Sequence, residues 1–146
     1  MKIRIKKLHE DAVIPKYAMP GDAGFDFYAL EDVTIAVGET KLVRTGLAFD
    51  VGYGYELQVR PRSGLSLKTS LRVANSPGTV DSSFRGEVCA IMHLAANSYG
   101  TISYTIKKGD RIAQGVVCPV VQADIEVVDY LSETERSTGG FGSTGL

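Results

Sequence analysis

No stretch of this chain sustains a helical period of apolar residues, whereas glycine- or proline-bearing turns interrupt it roughly every ten residues. That spacing leaves room for short strands and little else. Tyr55-Glu-Leu-Gln-Val-Arg60 alternates apolar and polar side chains and predicts a half-buried strand. Lys2–Lys6, Val33–Val37, Thr40–Asp50 and Thr101–Ile106 also read as strands, and an aromatic-rich one follows Gly24. Val88–Ala95 and Arg111–Val121 are longer apolar runs, the second broken at Pro119, and Ile125–Val128 reads as the last strand. Gly46 falls inside the fourth of these runs, where it marks a bulge or a close approach. Leu65–Leu71 alone suggests a helical turn. The predicted fold is all-β, a jelly-roll-like antiparallel sandwich or barrel. Residues 1–131 form its core, and the Gly-rich 132–146, without apolar periodicity, form a flexible C-terminal arm.

Charge and cysteine usage narrow the function classes. The net charge of −1 creates no basic field for nucleic acid. No run reaches membrane-spanning length, and the N-terminus alternates basic and apolar residues where a signal peptide needs a long apolar segment. Cys89 and Cys118 lie in apolar runs and read as reduced, buried thiols, which points to the cytoplasm. Two histidines and no CxxC exclude a protein-held zinc.

Four stretches could carry chemistry. Asn75-Ser-Pro-Gly-Thr-Val-Asp-Ser-Ser-Phe-Arg-Gly-Glu87 reads as a tight turn or hairpin tip before the apolar run at Val88. Its Asp81 either presents a fixed base to a ligand or merely caps the turn, which is the commoner use of Asp there. Pro61-Arg-Ser-Gly64 ends a strand, either as an ordinary turn or as a phosphate site built from Ser63 and free N–H groups. Gln114 in Arg111-Ile-Ala-Gln114 could orient a water or satisfy neighbouring backbone. The tail Ser137-Thr-Gly-Gly-Phe-Gly-Ser-Thr-Gly145, with Arg136 before it, has the composition of a linker or of a phosphate cradle. Phe141 has nothing local to pack on, which suggests docking on a ligand or another subunit.

Taken in chain order, with Ala23-Gly-Phe-Asp26 ahead of them, the stretches resemble the five motifs of the homotrimeric all-β dUTPases over essentially the whole chain. The resemblance implies a jelly-roll trimer whose sites lie between subunits, each closed by a C-terminal arm. It implies Mg²⁺-assisted water attack on the α-phosphate of dUTP, giving dUMP and pyrophosphate. That reaction keeps uracil out of DNA and supplies dUMP for thymidylate synthesis. By matching position, Asp81 would activate the water and Gln114 would help place it. Arg62, Ser63 and Gly64 would bind phosphates. Asn75, Gly78, Thr79, Val80 and Cys89 would line the uracil and sugar pocket. Arg136, Ser143 and Thr144 would grip the outer phosphates, with Phe141 and Gly142 over the base. The metal would sit on phosphate oxygens and waters, with Asp26 pairing a motif arginine or a metal-bound water.

One departure from the family pattern matters: Phe84 stands where the third motif usually has Tyr, whereas Val80 for the commoner Ile is a small volume change. Phe84 keeps the ring expected to pack on the deoxyribose and loses the hydroxyl. A deoxycytidine triphosphate deaminase of related fold fits less well, given the Gly-Phe-Gly arm and the Asn-to-Asp spacing. A nucleotide-binding module that signals to a regulatory partner is compatible with the same residues.

Overall fold

The computed structural model describes residues 1–96 and 100–140. Its elements run β1 (Arg4–Lys7), β2 (Phe25–Tyr28), β3 (Val33–Ala36), β4 (Thr40–Asp50), β5 (Tyr55–Arg60), α1 (Ser63–Lys68), β6 (Leu71–Val73), β7 (Gly78–Val80), β8 (Val88–Leu94), β9 (Ser103–Ile106) and β10 (Arg111–Pro119). They form two four-stranded sheets, β1-β4-β8-β6 and β2-β10-β5-β7, and the pair β3-β9, every pairing antiparallel. The all-β expectation holds.

Period-two alternation decides which side chains meet between the sheets. β8 buries Val88, Ala90, Met92 and Leu94 and leaves Cys89, Ile91 and His93 partly exposed. β5 buries Leu57 and Val59 and turns Glu56, Gln58 and Arg60 outward. β2 buries Phe25 and Phe27, whose rings meet edge-on at 5.6 Å. Phe49 of the other sheet stacks on Phe25 at 6.1 Å and meets Phe27 edge-on at 5.7 Å. Each such pair adds about 0.5–1.5 kcal/mol beyond its buried area. β10 passes directly under these rings because it carries Gly115, where a Cβ would stand 2.5 Å from Phe25 Cε2. The same alternation sends Asp26 and Gln114, opposite each other in register, to the outer face.

Gly46 satisfies both readings offered for it. The β4–β8 register shifts between Arg44 and Leu47, and Gly46 has φ +71°. A Cβ there would stand 2.8 Å from Ala12 Cβ. Glu87 holds the bulge: its Oε1 accepts from the Gly46 N–H at 2.7 Å and its Oε2 from Arg44 Nε at 3.0 Å.

Three expectations need correction. The helix is Ser63–Lys68, so Leu65–Leu71 began late and ran on; Leu71 is fully buried and opens β6 against β8. The stretch 75–87 is not a hairpin tip: β7 pairs β5 in one sheet and β8 pairs β4 and β6 in the other, so the turn crosses between sheets. The last long strand ends at Pro119, the break expected within the apolar run. Ile125–Val128 forms no strand and pairs with no sheet; Ile125 and Val127 are 94% and 95% exposed. Among the described residues no helix is long and apolar enough to cross a membrane.

Candidate active site

The turn after β7 does not use the Asp81 side chain as its cap. Its closing hydrogen bond runs from the Phe84 N–H to the Asp81 backbone carbonyl at 3.1 Å. The backbone therefore closes the turn. The carboxylate is exposed and makes no ion pair among the described residues. It stands at the edge of a cavity of about 270 Å³ that Asn75, Gly78, Thr79, Val80, Phe84 and Cys89 also line. Seven residues singled out from the sequence thus share one cavity. β7 supplies three of them and is the edge strand of its sheet, so one side of its backbone carries no ladder. The Phe84 ring lies over Gly86, where a Cβ would come within 2.5 Å of Phe84 Cζ.

Cys89 faces this cavity from β8. Burial, reinforced by the Glu87 charge, pushes its thiol up to about 11 from 9.0. The protonated form therefore persists until the pH nears that value, and at pH 8 the reactive thiolate is ~100-fold scarcer than at an unshifted cysteine. Iodoacetamide is expected to label Cys89 slowly at pH 8, the rate climbing steadily toward pH 11, as followed by peptide mass mapping. Labelling at pH 8 as fast as free cysteine would contradict this.

A second cluster gathers on the outer face of the β2-β10-β5-β7 sheet. Asp26 Oδ1 accepts from Arg62 Nε at 2.6 Å, and Oδ2 from Arg111 Nη1 at 3.3 Å. One carboxylate thus orients two guanidinium groups, which also line a cavity of about 260 Å³ beside Asp110. Gln114 Nε2 donates to the Pro61 carbonyl at 2.8 Å, a bond that leaves its Oε1 uncommitted by that contact. Gly24 makes room for it: a Cβ there would stand 3.0 Å from Gln114 Oε1. Gly24, Asp26, Pro61, Arg62 and Gln114 are thereby joined into one polar assembly. Ser63 and Gly64, at the exposed start of α1, continue from it.

The two clusters do not meet within one chain. Val80 pairs Leu57 near the start of β5, whereas Gln114 pairs Arg60 at its end. Asp81 and Arg62 are therefore separated along extended chain from about Glu56 to Arg62, roughly 20 Å at about 3.3 Å per residue. The sequence did not disclose Arg85, Asp50 or Glu87, which hold the Asp81 turn. Asp50 lies far from it in the chain, and no spacing rule connects them. Arg136 is exposed and donates from Nε to the Gly139 carbonyl at 2.8 Å. Phe141, Gly142, Ser143 and Thr144 lie outside the described residues. Among the described residues no group of three or more His, Cys, Asp or Glu could hold a metal ion.

The dUTPase family model matches residues 10–145. The chain is 52% identical over 145 residues to the deoxyuridine 5'-triphosphate nucleotidohydrolase of Nautilia profundicola, covering 99% of each. It is equally identical, over the same coverage, to the enzyme of that name from Picosynechococcus. Among solved structures, the dUTPase G164S mutant of Staphylococcus bacteriophage 80alpha with dUpNHpp superposes with a TM-score of 0.92 at 26% identity, covering 99% of both chains.

Proposed function

The chain belongs to the dUTPase family and is a dUTP diphosphatase that splits dUTP into dUMP and pyrophosphate; we propose that Asp81 is the base that activates the attacking water. The observation that carries this assignment is that the Phe84 N–H closes the turn on the Asp81 backbone carbonyl, which leaves the carboxylate available beside the cavity. A base must be held rigidly within hydrogen-bond reach of the water it deprotonates. A fixed turn between two sheets provides that.

Uracil then occupies the cavity lined by Gly78–Val80 and Cys89. It offers acceptors at O2 and O4 and a donor at N3. The unladdered edge of β7 can pair with these groups without reorganising. Cytosine reverses the pattern at position 4 and N3 and would leave buried groups unpaired, at roughly 1–3 kcal/mol each. Thymine is rejected by the cavity wall against its methyl group. Phe84 packs on the deoxyribose, and Asn75 contacts the base.

The triphosphate lies on the Arg62, Ser63 and Gly64 segment, whose arginine Asp26 orients. Fork-shaped guanidinium groups held in one plane grip phosphate better than free ones. Asp26 is committed to two arginines, and among the described residues no group of three or more His, Cys, Asp or Glu could hold a resident ion. Mg²⁺ therefore enters as part of the substrate, on the phosphate oxygens. Since Asp81 and Arg62 lie far apart in one chain, each site takes them from different copies. The exposed apolar side chains of Val121, Ile125, Val127, Tyr130 and Leu131 support burial in such an assembly, which we assign as a homotrimer. Arg136, Phe141, Gly142, Ser143 and Thr144 close over the bound nucleotide and exclude water.

Pyrophosphate release measured with Mg²⁺ and dUTP, dTTP, dCTP or UTP tests this reading. Turnover is expected with dUTP, with the other three far slower. Equal turnover of UTP would remove the sugar-packing role of Phe84. Binding of dUTP without pyrophosphate release would favour a nucleotide-binding module.

A further inference from the structure

The turn from Asp81 to Glu87 joins strands of different sheets, so no shared ladder fixes its shape. Arg85 supplies what the ladder does not. Its Nη1 donates to the Ser82 carbonyl at 2.6 Å and to the Phe84 carbonyl at 2.9 Å. Its Nη2 donates to Asp50 Oδ1 at 3.0 Å. Asp50 ends β4 and is itself fixed, by Arg4 Nη1 at 3.1 Å from β1 and by the Gly52 N–H at 3.2 Å. The Arg4 hydrogen bond, then the Gly52 N–H and the Arg85 charge, hold the Asp50 carboxyl below its usual range, so it stays charged at neutral pH. At the other end of the turn Glu87 grips the Gly46 bulge, also on β4. One guanidinium thus collects two turn carbonyls and ties them to the core sheet.

We propose that Arg85 and Asp50 are positioning residues for the reaction, locking the turn that presents Asp81 and Phe84; this rests on the role assigned to Asp81 above. A rigid fork of five donors can reach two carbonyls and a carboxylate together, and an ammonium on a flexible stem cannot hold that geometry. Stability does not account for the arrangement. The Arg85 side chain is 56% exposed and that of Asp50 26%, and such exposed pairs add little to folding. Placement does: a shift of about 1 Å at an attacking group costs on the order of 100-fold in rate.

The test is kinetics on the full chain with Asp50→Asn, Arg85→Met, the double variant, Arg85→Lys and Asp81→Asn. Asp50→Asn and Arg85→Met are each expected to lower kcat for dUTP by ~10–100-fold while KM moves less than about threefold. Thermal midpoints should stay within about 3 °C of the parent. The double variant should be no slower than Arg85→Met, the non-additivity expected of groups acting through one contact. Arg85→Lys should not restore the rate. The proposal is overturned if either single variant keeps kcat within about twofold of the parent, if the losses add, or if rate falls only as the fold melts. An Asp81→Asn variant with parental turnover would instead remove the premise, and the two failures are distinguishable because Arg85→Met is read in the same assay.

Discussion

Replacing Asp81 by Asn should lower kcat for dUTP by roughly 10²–10⁴-fold, the range supplied by a positioned general base. Asn is nearly isosteric, so the cavity keeps its shape, and an amide does not take the proton of an attacking water. Since the lost interaction is made in the transition state, KM should change little and kcat/KM should fall with kcat. Stability should be untouched. The side chain is exposed, and the hydrogen bond that closes its turn uses the backbone carbonyl, which Asn retains. Surface substitutions of this kind stay within about ±0.5 kcal/mol. Pyrophosphate release and a thermal melt on one preparation check both halves. A variant retaining more than about a tenth of parental kcat would take the base role away from Asp81.

That assignment was open in the sequence, and the reason is physical. An Asp in a turn satisfies the local backbone or faces a ligand, and composition does not distinguish the two. The Phe84 N–H bonds the Asp81 backbone carbonyl, so the side chain is not what caps the turn. Gln114 was open in the same way, and its amide is found on the Pro61 carbonyl. The alternation along β5 and β8 was legible because period two fixes which residues are buried. Leu71–Val73 was not: three residues beside a helical turn carry too little pattern, and burial against β8 is decided by tertiary partners. Ile125–Val128 has a strand's composition, yet a strand also needs a neighbour, and one chain does not supply it. The motif order pointed to the family; the placement of the Asp81 and Arg62 clusters toward opposite ends of β5 became visible only with the register.

The division has a consequence that a mixing experiment reads directly. Arg62→Ala should be as inactive as Asp81→Asn, because removing a donor from a group that stabilises transferring phosphate costs on the order of 10²–10³-fold. If one chain housed a whole site, a mixture of the two variants would stay inactive. If each site takes Asp81 from one copy and Arg62 from another, some mixed sites are intact. Half the chains of an equal mixture carry a sound Asp81 and half a sound Arg62. Random reassembly after co-denaturation therefore restores about a quarter of parental activity per site. Each variant refolded alone controls for recovery. The two residues lie about six strand positions apart, and a side chain reaches nowhere near the resulting ~20 Å. Activity that stays at the level of the separate variants, with mixed oligomers demonstrated by differential tagging, would place both residues in one chain's site and require the turn or the arginine segment to move.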